Sequence, residues 1–181
     1  MTRHRLLVSL MLVGISALFG LSGLDGTRSA WGGSLIPFED PDSDLWGYKT
    51  IRGAVAIPAR YYVAGEFSRH GLAAVVDASG WQYVDTQGRC VIRPFVFDNG
   101  PDPFSEGLAR FREDGKFGFF DETGRVVIPA RFDFVKPFSG GSAEYCEGCT
   151  EQYEGEHMIH SGGTWGRIDR KGRVVKSGSK Q

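Results

Sequence analysis

Three cysteines, four histidines and no excess of either charge leave this 181-residue chain few places for chemistry. No serine stands in a nucleophile elbow with a histidine and an acid to serve it, no glycine-rich phosphate loop appears, and His70 stands alone. A nucleophilic hydrolase lacks its parts, and the chain reads as non-enzymatic. Lys and Arg number 21 against 22 Asp and Glu, giving a net charge of -1, and they scatter among the acids without forming a basic stripe. Nucleic acid is therefore not an expected partner. Long helical segments are also scarce. Glycine, at 26 residues, and aromatics, at 13%, favour short strands joined by tight turns. With 41% apolar and 24% charged residues the composition is that of an ordinary globular chain, and one folded all-β domain is expected.

One long apolar run exists, at the N-terminus. Arg3, His4 and Arg5 precede Leu6 to Leu21, sixteen apolar or small residues without a charge, which is how a secretory signal reads. Residues 1–23 are expected to be a signal helix and the protein to be exported, periplasmic or extracellular. The alternative is an uncleaved anchor over residues 6–24, just long enough to cross a bilayer and the chain's one route to a membrane. Residues 24–44, rich in Gly, Ser, Asp and Pro, read as a linker.

From residue 45 to 181 the chain superimposes on itself. "LWGYKTIRGAVAIPARY" from Leu45, "GWQYVDTQGRCVIRPFV" from Gly80, "KFGFFDETGRVVIPARF" from Lys116 and "TWGRIDRKGRVVK" from Thr164 align, with turn glycines Gly53, Gly88, Gly124 and Gly172 spaced by 35, 36 and 48. The last interval holds an insertion of about 12 residues. A second block, "FSRHGLAAV", "FSEGLARF" and "FSGGSAEY", recurs between the tiles. Asp85, Asp121 and Asp169, three residues before their glycines, read as turn caps in preference to catalytic carboxylates or a Ca²⁺ ladder, because the loops lack further carboxylates. The β-branched strand after each turn ends at Pro58, Pro94 or Pro129, and its apolar run predicts burial on both faces. The Gly-Leu-Ala block adds a third strand. Three full three-stranded repeats and a truncated fourth are expected to stack, since no tile buries its face alone.

The aromatic-Gly pair, the Asp-x-x-Gly turn, Val-Val-Ile-Pro and the intervening Phe-Ser-x-Gly-Leu-Ala resemble the WG repeats, named for Trp-Gly, of many bacterial proteins. The resemblance runs from Leu45 to about Val175, with Gln82 in place of one glycine and Phe117 in place of one tryptophan. It implies a β-rich scaffold, commonly in exported or envelope proteins, and it brings no catalytic motif with it.

Two candidate features remain. Trp46, Trp81, Tyr83, Phe119 and Trp165 suit either a core or a platform for sugar rings and peptides, and the repeat logic favours the core. The insertion carries Cys146, Cys149, His157 and His160, a C-x2-C-x7-H-x2-H array with the donors of a tetrahedral zinc site. Against zinc, Cys146 and Cys149 flank Glu147-Gly148, a pair suited to a tight hairpin, and an oxidising compartment would join them. The preferred reading is a disulfide with no metal or cofactor; free or redox-active thiols and zinc are the alternatives. Cys90 aligns with Val55, Val126 and Val174 and reads as a small buried residue that does not pair. The function expected is a non-catalytic repeat scaffold that binds an envelope protein, peptide or glycan, with a metal-binding or thiol-redox protein as the alternative.

Overall fold

Four turns set the spacing of the strands. In the computed structural model, which describes residues 35–154 and 157–175, Gly53, Gly88, Gly124 and Gly172 have φ of 88°, 74°, 82° and 76°. That is the left-handed region, which a side chain disfavours. Asp85 Oδ1 accepts the N–H groups of Gln87 and Arg89, and the Gly88 N–H donates to the Asp85 carbonyl. Asp121 and Asp169 repeat the pattern, and the Thr50 hydroxyl serves in the first copy by accepting the Ala54 N–H. The acids are therefore turn caps, each also paired with the arginine four residues on.

All regular structure among the described residues is β, in antiparallel sheets. The first sheet contains β1 (Leu35–Asp40), β2 (Leu45–Thr50) and β3 (Val55–Tyr61); the second contains β4 (Val63–Ala64), β5 (Ala73–Asp77), β6 (Gly80–Val84) and β7 (Cys90–Ile92). A short pair, β8 (Val96–Phe97) and β9 (Gly100–Pro101), leads to the third sheet of β10 (Leu108–Glu113), β11 (Lys116–Asp121) and β12 (Val126–Phe132). The fourth comprises β13 (Phe134–Val135), β14 (Ser142–Glu154), β15 (His157–Asp169) and β16 (Val174–Val175). In each unit the aromatic-Gly strand is central, flanked by the Gly-Leu-Ala strand and the post-turn strand.

Part of the expected linker is structural. Leu35–Asp40 pairs with β2 from Leu35↔Thr50 to Asp40↔Leu45 and takes the place of a Gly-Leu-Ala strand. Leu35 is buried, and Pro37 is tolerated because β1 lies at a sheet edge. The signal helix expected over residues 1–23 lies outside the described residues. Among the described residues no helix is long and apolar enough to cross a membrane.

The post-turn prolines do not end their strands. Trp46 lies opposite Tyr61 and Tyr48 opposite Ile57, so Gly47 faces a bulge made by Pro58, Ala59 and Arg60. A Cβ on Gly47 would stand 2.5 Å from the Ile57 carbonyl oxygen and 2.7 Å from the Ala59 nitrogen. The third unit repeats this, with Phe117 opposite Phe132, Phe119 opposite Ile128, and a Gly118 Cβ at 2.5 Å from the Ile128 oxygen. Glycine is needed there because the bulge presses backbone against it, and proline fits the bulge because it has no N–H to pair. The second unit differs. Its β7 ends at Ile92, and Pro94 already bridges to Phe111 of the next unit, so Pro94 is not the counterpart of Pro58 and Pro129. Without a proline bulge opposite it there is room for Gln82, which is buried and donates to Asp77.

The residues missing from β7 reappear as the β8–β9 excursion, which turns through Asp98 and Asn99, both at positive φ. It delivers Asp102 to Arg110 on β10, where both side chains are almost fully buried and make a forked ion pair. Arg110 also donates to the Val135 carbonyl and lies 4.9 Å from the Phe95 ring centroid.

The core forms between units. One cluster joins Tyr48, Ile57 and Tyr61 to Ala73, Val75 and Val84; a second joins Ile92 to Ala109, Phe111 and Phe120; a third joins Phe117, Phe119, Ile128 and Phe132 to Val135, Phe138, Tyr145 and Ile168. Burial on both faces of the post-turn strand does not occur. Ile57, Ile92 and Ile128 point in, whereas Val55, Val126 and Val174 are exposed, and Cys90 at the same position is an exposed free thiol. The first post-turn residue faces outward in every unit, and its β-branched character reflects strand preference.

Candidate functional site

The third and fourth units close their central hairpins differently. In the third, Glu113 pairs with Lys116 across the two-residue turn Asp114-Gly115. In the fourth, the equivalent pair is Glu147 and Thr164, and residues 148–163 stand in place of that turn. They continue both strands in unbroken register to Glu154↔His157. The insertion is thus a hairpin extension, and the chain does not turn at Glu147-Gly148.

Two glycines reshape it. Gly148 and Gly163, opposite each other, have φ of 76° and 68°, and a Cβ on Gly163 would meet the Cys149 nitrogen at 2.5 Å. Three steps of regular strand cover about 10 Å. Cys146 and Cys149 have Cα atoms only 6.1 Å apart and sulfurs at bonding distance, because left-handed Gly148 folds the backbone between them. Cys146 is fully buried and Cys149 partly so.

Beyond the glycines the hairpin lies against the third unit. Asp133 accepts the Gly148 N–H at 2.6 Å and pairs with Lys116, and the Lys116 hydrogen bond, followed by that of Gly148, holds its carboxyl below the usual range. Glu151 pairs with Arg112 at 2.9 Å. His160, opposite Glu151, stacks on Phe134 with ring centroids 3.7 Å apart. Its Nε2 is buried, has no hydrogen-bond partner among the described residues and stands 3.7 Å from Glu151. Burial lowers the His160 pKa; Glu151 acts in the opposite direction, and Arg112 adds to the lowering.

The four donors of the C-x2-C-x7-H-x2-H array are not assembled as one site in this geometry. Positions 157 and 160 are three apart in one strand and fall on opposite faces of the ladder; the His157 side chain lies outside the described residues. Among those residues no three of His, Cys, Asp and Glu are grouped for a metal ion.

The aromatics divide. Tyr48, Phe119 and Phe117 are fully buried and Trp46, Trp81 and Tyr83 partly, but Trp165 is 42% exposed, its indole donating to the Gly162 carbonyl. Trp165 lies in the last described unit, where Arg167 takes the position held by the buried aromatics Tyr48 and Phe119.

One group escaped sequence reasoning. His70, isolated in the chain, meets Glu122 of the next unit's turn at 3.0 Å, and Arg69 reaches the same carboxylate at 3.2 Å. The signal was the repeat itself, since each Phe-Ser loop should face the turn one unit later.

A family model described as WG containing repeat matches residues 46–81, 81–117 and 117–148, more than half of the chain. No curated protein and no solved structure matches. With three consecutive matches, each starting at a central-strand aromatic position, the chain belongs to the WG-containing repeat family.

Proposed function

We propose that this protein is an exported, non-catalytic interaction module that presents the fourth-unit hairpin to a protein, peptide or glycan of the cell envelope. The observation that carries the reading is the hairpin extension itself. A repeat array is built from similar tiles, and insertions into single tiles map to loops on one face, often the binding face. Here one tile departs from a two-residue turn to 13-residue strands, and the departure has its own fastenings in Asp133, Arg112 and Phe134. The apolar N-terminal run supports export, and the scattered charge argues against nucleic acid.

The test is a capture experiment from envelope extract with the full chain and with a variant whose residues 148–163 are replaced by Asp-Gly, the turn of the third unit. Loss of the captured partner, with β-sheet circular dichroism and cooperative unfolding retained, is the expected result. Equal capture by both would overturn the role of the hairpin.

The thiol-redox alternative rests on the adjacent sulfurs of Cys146 and Cys149. Thiol titration of the unfolded, unreduced protein should find one free group, Cys90. Three thiols, together with one equivalent of zinc by elemental analysis, would replace this reading with a metal site.

A further inference from the structure

Every junction between units is filled by an aromatic pair, one ring from the central strand and one from the Phe-Ser loop. Tyr48 and Phe67 lie 4.7 Å apart, and Phe119 and Phe138 also 4.7 Å. Tyr83 and Phe104, at the junction of the second and third units, are separated by 6.0 Å, and the buried Phe120 ring joins them at 5.8 Å and 5.4 Å. This is the junction where β7 is cut short, and a pocket of about 190 Å³ lies there, lined by Leu72, Tyr83 and Phe104. A dry apolar cavity of about 150 Å³ is enough to hold one benzene ring.

The mouth is polar and unevenly satisfied. Ser68, Arg69, His70 and Glu122 border it. His70 Nε2 stands 2.9 Å from Arg69 Nε, a donor, and 3.0 Å from Glu122 Oε2, an acceptor. One ring nitrogen cannot accept from the first while donating to the second. Whichever partner it takes, one contact in the trio is unmet. If His70 donates to Glu122, the Arg69 Nε–H is left free beside the pocket, on a side chain 81% exposed. An exposed guanidinium with a spare edge is built to take a carboxylate through two N–H groups. The pair holding it, Arg69 and Glu122, is exposed on both sides and exchanges readily. The matching junction of the third and fourth units has Arg170 where this one has Glu122, so the trio belongs to this junction alone among the described units.

We infer that this pocket binds a carboxylate carried next to a ring-sized apolar group, with the ring against Leu72, Tyr83 and Phe104 and the carboxylate on Arg69. None of the residues lining this pocket belongs to the fourth-unit hairpin, so the inference goes beyond the interaction-module reading and stands apart from it. Such chemistry is offered by a free aryl-alkyl carboxylic acid and by the C-terminal aromatic residue of a peptide.

The experiment is an NMR titration of the full chain with N-acetyl-phenylalanine, its amide, and a pentapeptide ending in phenylalanine with a free or amidated C-terminus. Expected are shifts at residues 68–71 and at the Tyr83 and Phe104 rings with the acids, and binding at least about tenfold weaker with the amides and with Arg69→Gln, the loss of one charge-assisted contact. Tighter binding of the pentapeptide acid would assign a chain end, and equal binding a free acid. Absence of shifts at these residues, equal binding of acid and amide, or an unaffected Arg69→Gln would overturn the inference. Because Arg69 is a surface residue, misfolding does not confuse the result. Hairpin-dependent capture that survives Arg69→Gln, with no titration response, would sink the pocket and leave the interaction module standing.

Discussion

The second and third units have the same strand order and the same Asp-capped turn, but only the third keeps the glycine of its aromatic-Gly pair. In the third, Gly118 lies under the bulge of Pro129 and Ala130, where no Cβ fits. In the second, the strand that would bulge stops at Ile92, and Gln82 occupies the glycine position as a buried, hydrogen-bonded side chain. The repeat motif is therefore one device with two halves, a glycine on the central strand and a proline-containing bulge on its neighbour. Where one half is lost the other is free to change. The shortened strand also leads into the β8–β9 excursion with its buried ion pair, and it coincides with the junction where Tyr83, Phe104 and Phe120 pack as three rings.

The sharpest way to break this contrast is through the ion pair that only the excursion has. Arg110→Ala leaves Asp102, 1% exposed, as an uncompensated buried carboxylate, and should cost about 3–5 kcal/mol in urea denaturation. The double variant Asp102→Leu with Arg110→Met should recover much of that loss, because paired apolar replacement of a buried ion pair is commonly neutral. A single variant with no loss would mean that the excursion does not rely on the pair.

Phe117 and Trp165 compare the third unit with the last described one. Phe117→Ala should cost about 3–5 kcal/mol, as buried aromatic truncations do. Trp165→Ala, at a half-exposed site, should cost less than about 2 kcal/mol. Equal losses in thermal melts would show that the fourth unit is packed as tightly as the third.

The exchange of Gly118 and Gln82 sharpens the comparison further. Gly118→Gln should destabilise by about 3 kcal/mol, because its Cβ meets backbone that moves only with the bulge. Gln82→Gly should cost about 1 kcal/mol from backbone entropy and one lost hydrogen bond. If the two changes cost the same, the bulge does not account for the glycine.

The repeat was legible in the sequence because its signals are local. A capped Asp-x-x-Gly turn and an aromatic-Gly pair carry their own geometry, so the period and the turn glycines were readable without coordinates. Pairing across a bulge is not local. Pro94 looks like the counterpart of Pro58 and Pro129 but bridges to Phe111 instead, and nothing in "CVIRPFV" announces a strand cut short. Cys90 is exposed although its sequence position suggests burial, because a β-branched run looks the same whether its first residue faces in or out. In the insertion, residue types were legible and register was not. The ladder that puts Glu151 opposite His160 depends on Gly148 and Gly163 facing each other, and it draws in Arg112 and Phe134 from other strands.

The smallest effect expected is a pH dependence confined to the fourth-unit hairpin, where no other unit has a buried histidine. His160 is stacked on Phe134 and faces Glu151 from its partner strand and Arg112 from β10. Burial is the largest influence and holds its pKa below the ordinary histidine value, with Arg112 acting the same way and Glu151 opposing. The unfolded chain therefore binds a proton more readily than the folded one as the pH falls through about 6.5, and stability rises with pH across that window. The carboxylates do not imitate this, because Asp169, held to about 2 by the Arg173 hydrogen bonds, loses its contribution only in acid far below it. Hydrogen exchange of the Thr150 and Glu151 amides should be faster at pH 5.5 than at pH 7.5 after correction for intrinsic rates, while Phe119 and Phe120 in the third unit keep their protection. His160→Gln should remove the difference between the two pH values. If the variant hairpin still loosens in acid, the proton is taken up elsewhere and His160 is a packing residue only.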